Sequence, residues 1–261
     1  MNLINLKNPI IKVCHLFKSF TVGDQQVKVL KDLNFEVKTN DFLIIFGPSG
    51  CGKSTLLHTI LGLEEPSSGT IYFKNENIYE QKTGYLTTDD DRADFRKQNI
   101  GMVYQQANWI KSLKVWENVA FPLTLMGVDF STRQAQAKAV LNDVGMLSWA
   151  DYLPSQLSSG QQQKVALARA LISNSELIIA DEPTGNLDFD SGKDLMNTLS
   201  SLNTNNHKTI IMVTHDLEYL KYAKTIIKML DGQISEIYQG SSADISSQLK
   251  VNGKRHGGLN V

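Results

Sequence analysis

Apolar and polar positions first alternate along this chain: Leu33, Phe35 and Val37 fall between Asn34, Glu36 and Lys38. A period of two predicts a strand with one buried face. The pattern then changes. Phe42-Leu43-Ile44-Ile45-Phe46 is apolar at every position, as in a parallel strand covered on both faces. After a glycine-rich turn, Leu56, Leu57, Ile60 and Leu61 recur at helical spacing, and Gly62 is placed to end that helix. Two more apolar strands are predicted at Leu177 to Ala180 and Thr209 to Thr214, each preceded by helix-compatible sequence. Such βα alternation predicts a mostly parallel sheet with helices on both faces, an α/β fold. Thr225 to Leu230 and Gln233 to Ile237 flank Asp231-Gly232 and read as a closing hairpin.

The stretch 87–158 breaks this rhythm. It is rich in helix-forming sequence and interrupted at Pro122 and Pro154, which predicts an inserted helical lobe. Thr88 and Asp91 have the spacing of a capping box at its first helix. The run Asp89-Asp90-Asp91 is no calcium loop, because Asp94 stands where an EF-hand needs glycine. Residues 238–261 form a polar tail, with Lys254-Arg255-His256 near its end, expected to be mobile.

Composition narrows the class. The 261 residues are 41% hydrophobic and 20% charged with a net charge of −1, so electrostatics makes no case for nucleic acid as a partner. Cys14 and Cys51 lack metal or disulfide spacing, which suits a reducing, cytoplasmic compartment. Met1 to Ile11 does not read as a signal peptide. Apolar runs of about five residues fall far short of the roughly 20 that a membrane span needs.

The glycine-rich turn carries chemistry. Gly47-Pro48-Ser49-Gly50-Cys51-Gly52-Lys53-Ser54 fits the pattern G-x-x-x-x-G-K-[ST] at every fixed position. Its glycines let backbone N–H groups surround a phosphate, and the following helix directs its positive end at the same anion. Lys53 is expected on the β- and γ-phosphates and Ser54 on Mg²⁺, with Thr55 adding a phosphate contact. Cys51 reads as a spacer. Asp181 and Glu182 end an apolar strand: Asp181 is placed to hold Mg²⁺ or its waters, and Glu182 to polarise the attacking water. His215, just past another strand, is placed to sense the γ-phosphate, and Gln105, after Ile100 to Tyr104, to reach Mg²⁺ or the water.

Leu157-Ser158-Ser159-Gly160-Gln161-Gln162-Gln163-Lys164 closely resembles the ABC signature L-S-G-G-Q followed by Q-Q-R. With Asp181 to Asp188 and Val213-Thr214-His215-Asp216 it completes the motif set of the ABC ATPases in its usual order, so residues 11–237 resemble one such domain. The resemblance implies a P-loop NTPase core with an N-terminal antiparallel β subdomain and an inserted α-helical subdomain. It also implies ATP and Mg²⁺ as ligands, and a second ATPase copy that closes head to tail. Ser158, Gly160 and Gln161 would then meet the partner's nucleotide, Asp188 would lie at the seam, and Phe20 would stack on adenine. Ser159 replaces a signature glycine and Lys164 the usual arginine.

Within the family, the motifs look like the branch that serves lipoprotein release, macrolide or toxin export and antimicrobial-peptide resistance. Such a subunit sits on the inner face of the membrane, docked to permease subunits, here through the apolar stretch Trp109 to Trp116. Regulation of a cell-envelope process without transport is the alternative role.

Overall fold

The computed structural model describes residues 9–80, 84 and 86–240. The predicted tail therefore lies outside the described residues from position 241 onward. The chain divides into two compact units, residues 1–93 with 211–261, and residues 94–210.

In the first unit, β1 (Pro9–Val22) and β2 (Gln25–Lys38) pair antiparallel. The predicted alternation holds in β2: Leu33, Phe35 and Val37 are buried, while Asn34, Glu36 and Lys38 are exposed. Every residue of β3 (Phe42–Phe46) is buried, as its unbroken apolar run requires. The helix α1 (Lys53–Ile60) buries Leu56, Leu57 and Ile60, and Gly62 follows with a left-handed φ of 68°. Strand β4 (Ser68–Phe73) pairs with the free side of β1, and β5 (Glu76–Asn77) completes the order β2-β1-β4-β5. A capping box opens α2 (Asp89–Asn99): Asp91 Oδ2 accepts from the Thr88 N–H, and Thr88 Oγ1 accepts from the Asp91 N–H. Asp89 forms an ion pair with buried Arg92, and no metal-binding acidic cluster exists among the described residues.

The second unit takes in the last residues of α2 and then β6 (Ile100–Tyr104), α3 (Val115–Leu125), α4 (Phe130–Asp143) and α5 (Ser159–Leu171). These three helices share a core in which Trp116 and Val119, Ala137 and Leu141, and Val165 and Ala168 meet. Pro122 does not interrupt the lobe but lies inside α3. Burial of Val119 and Leu123 on either side of it holds that helix to its core despite the missing N–H. Pro154 opens a single 3₁₀ turn, where an absent donor is harmless. Strand β7 (Leu177–Asp181) runs parallel to β6, and α6 (Phe189–Thr204) follows.

Strand β8 (Thr209–Thr214) is buried throughout. Back in the first unit, β9 (Thr225–Leu230) pairs parallel with β3 and antiparallel with β10 (Gln233–Gln239). Asp231 and Gly232 both have positive φ, 47° and 79°, which is what a tight hairpin turn of matching twist demands. No described helix is long and apolar enough to cross a membrane.

Candidate active site

Strand β3 ends at Phe46, and the chain turns into the loop that precedes α1. Gly47 admits no side chain, because a β-carbon there would lie 2.2 Å from the Met229 carbonyl oxygen. Gly50 and Gly52 take left-handed φ values of 78° and 101°. Lys53 is only 6% exposed, and its ammonium donates to the carbonyls of Gly47 and Pro48, both at 2.9 Å. The loop is thus wrapped around its own lysine. Pro48, Ser49 and Gly50 form an exposed crest, whereas Cys51 is buried. Gly52 caps α1 without a side-chain hydrogen bond. The first-turn N–H groups therefore have no side-chain competitor, and together with the helix dipole they make an anion-binding end. Ser54 is exposed there and Thr55 half-buried.

Phe20 lies half-buried on β1 opposite Val27 of β2. The Lys18 ammonium sits 4.8 Å from its ring centroid and donates to the Glu65 carbonyl at 2.6 Å. His215 is exposed just past β8, and Asp216 caps the short helix that follows.

In the second unit the parallel register places Tyr104 beside Asp181. Their successors, Gln105 and Glu182, thus leave neighbouring strand ends on one edge, where ligands bind in such sheets. Glu182 has a left-handed φ of 44°, a conformation that costs a residue with a side chain about 1–3 kcal/mol and clusters at functional sites. The Gly185 N–H donates to the Glu182 carbonyl at 3.0 Å, closing a tight turn.

At the start of α5, Ser158 Oγ accepts from the Gln161 N–H at 3.3 Å, and Gln161 Oε1 accepts from the Ser158 N–H at 2.9 Å. Ser159 is the first helical residue and does not have positive φ, so serine replaces glycine there without backbone strain. Gly160 is needed for space, since a β-carbon would lie 2.7 Å from Ser191 Oγ. Ser191 in turn donates through N–H and Oγ to the Asp188 carboxylate, both at 2.9 Å. These bonds hold the Asp188 carboxyl below the usual carboxylate range. Lys164 forms an ion pair with Asp194 of α6, so its charge ties two helices together.

The stretch Trp109 to Trp116 divides in two. Val115 and Trp116 are buried in the helical core, which removes them from any docking surface. Trp109, Ile110 and Leu113 remain half-buried. Trp109 Nε1 donates to Gln162 Oε1 at 3.0 Å, and the Arg169 guanidinium lies 4.8 Å from its ring centroid. Gln105, Asn108, Trp109, Ser159 and Leu187 line a cleft of about 330 Å³ beside that contact. Buried Asn118 fixes the loop below it through the backbone of Ile110, Leu113 and Lys114.

Three residues of this unit escaped the sequence reading: Gln163, Ser191 and Arg169. Gln163 is buried and donates to the backbone on both sides of the β6–β7 edge, at the carbonyls of Tyr104 and Pro183. Arg169 donates to the carbonyls of Ala107 and Asn108. Local patterning offers little signal for contacts so distant in sequence.

Residues 30–185 match the model of the ABC transporter family. The chain is 43% identical over 228 residues to an uncharacterised ABC transporter ATP-binding protein of Methanocaldococcus jannaschii, covering 87% of this chain and 99% of the relative. It is 38% identical to the lipoprotein-releasing system ATP-binding protein LolD of Colwellia psychrerythraea, covering 89% of this chain and 88% of that one. Among solved structures, the dimeric, post-hydrolysis ATP-binding cassette MJ0796 bound to ADP and Pi superposes with a TM-score of 0.79. The two share 35% identity over 88% of this chain and 98% of that one. Motifs, strand-end geometry and full-length similarity lead to one assignment: this chain belongs to the ABC transporter family, as one of its ATP-binding cassettes.

Proposed function

We propose that this chain binds Mg·ATP and hydrolyses it as one half of a head-to-tail pair of cassettes that drives a membrane-embedded permease. The observation that supports this most is the start of α1. Its N–H groups have no side-chain cap, two left-handed glycines precede it, and Lys53 is held over the loop. That end selects for a phosphate chain over a neutral ligand. Lys53 then exchanges two neutral carbonyls for β- and γ-phosphate oxygens. Phe20, with Lys18 on one face, offers its other face to adenine.

Mg²⁺ would be held by the Ser54 hydroxyl, the Asp181 carboxylate and the Gln105 amide oxygen, hard oxygen donors of the kind this ion prefers, and would supply neutralisation of phosphate charge. Glu182 orients and deprotonates the attacking water, and His215 donates to the γ-phosphate. Ser158, Gly160 and Gln161 serve the nucleotide of the second cassette, with Asp188 at the seam. The partner permease docks on the half-buried Trp109, Ile110 and Leu113, which places the cassette at the inner membrane face. Residues 11–237 form the ATPase domain with 87–158 as its helical subdomain, and the permease, not this chain, selects the cargo.

The test is turnover and assembly of the Glu182→Gln variant in Mg·ATP. Catalysis should fall at least about 100-fold, with ATP retained and dimers accumulating on size exclusion. Wild-type turnover, or a chain that stays monomeric with ATP bound, would reject the proposal.

A further inference from the structure

We infer that Gln163 is a positioning residue for ATP hydrolysis, setting the two backbone segments that carry Gln105 and Glu182. The inference rests on the roles proposed above for those two residues. Gln163 lies in the second turn of α5 and is 4% exposed. Its Nε2 donates to the Tyr104 carbonyl and to the Pro183 carbonyl, each at 2.8 Å. A primary amide has two N–H hydrogens, and each is directed to a different strand-end loop.

The placement of those carbonyls matters. The Tyr104 carbonyl belongs to the same planar peptide as the Gln105 N–H, so its hydrogen bond fixes the plane from which the Gln105 side chain departs. Pro183 follows Glu182 directly, at the left-handed turn. The β6–β7 register already sets Tyr104 beside Asp181, so one amide group joins both loops just past the strand edge. The same helix begins with Ser158 and Gln161. A shift of α5 therefore moves Gln105 and Glu182 together. Such control is strong, because a displacement of about 1 Å at reacting groups can change rate about 100-fold.

Two substitutions test the inference on the full chain. Gln163→Met keeps length and volume but removes both donors. It should lower kcat at least about tenfold while KM for ATP stays within about twofold, the signature of lost positioning with binding intact. In Gln163→Glu, the ionised carboxylate has no hydrogen to offer either carbonyl, whereas its protonated form has one. Activity relative to wild type should therefore rise as pH falls, a trend that a packing role would not produce. Wild-type kcat in Gln163→Met, a pH-independent ratio in Gln163→Glu, or failure of either variant to fold would overturn the inference and leave Gln163 a structural strut. Glu182→Gln is the control. If it is inactive while Gln163→Met is normal, only this inference fails; if it turns over normally, the role given to Glu182 fails and this inference with it.

Discussion

Gly185 and Gln105 are in close approach: a β-carbon built on Gly185 would lie 2.7 Å from the Gln105 side-chain nitrogen. Gly185 also donates its N–H to the Glu182 carbonyl. Any side chain at 185 must therefore move the end of the Gln105 side chain, while the backbone there has no positive φ of its own. Gly185→Ala should push the Gln105 amide aside, lowering kcat by about tenfold, or about 1.4 kcal/mol. Nucleotide affinity, measured by equilibrium titration, should hold.

Lys164, which stands where the signature usually carries arginine, pairs with Asp194. Their ion pair is partly exposed, with side chains 28% and 54% accessible, so it contributes under about 1 kcal/mol. Lys164→Ala should lower the midpoint of thermal unfolding slightly. The double exchange Lys164→Asp with Asp194→Lys should recover that loss, as a double-mutant cycle would show.

Asp188 gives a pH prediction with a definite sign. Its carboxyl is depressed in the folded chain by the bonds from Ser191. The folded state therefore binds this proton less readily than the unfolded state does, and the stabilisation is fully present above the ordinary carboxylate value of about 4. It disappears as pH falls through the lowered native value. Asp188→Asn should flatten that acid limb in a plot of unfolding midpoint against pH. A variant that retains the wild-type slope below about pH 4 would assign the slope to other carboxylates.

The docking role proposed for Trp109 can be tested apart from catalysis. Trp109→Arg places a second cation beside Arg169, which now lies over the indole ring. Recovery of the cassette with its permease from detergent extracts should fall at least about tenfold, with binding of ATP to the isolated chain unchanged. Equal recovery would remove Trp109 from the docking surface.

What could be read from the sequence follows from how local each determinant is. The limits of β3 match its apolar run, and β8 extends by one buried threonine at each end of Ile210 to Val213, because a strand covered on both faces shows as an unbroken apolar stretch. The phosphate loop and the Asp231-Gly232 turn were legible because each needs glycine within a few residues. Gln163 was not. It stands third among three adjacent glutamines, and its partner Tyr104 lies 59 positions away. Pro122 misled for the same reason: propensity marks a break, and the apolar face of α3 overrides it. The left-handed turn at Glu182 likewise follows from its surroundings, since nothing in glutamate favours it.

The two helix starts proposed to meet nucleotide differ in kind. The first turn of α1 carries no side-chain cap, whereas in that of α5 the Gln161 N–H is already taken by Ser158 Oγ, whose own N–H the Gln161 side chain accepts in return. A triphosphate approaching α5 must therefore displace a working partner, while one approaching α1 displaces water. In the proposed head-to-tail pair, nucleotide should load on each cassette's own loop before the opposite cassette engages it. The second grip should also release once the terminal phosphate is cleaved, which lets the motor cycle instead of locking shut.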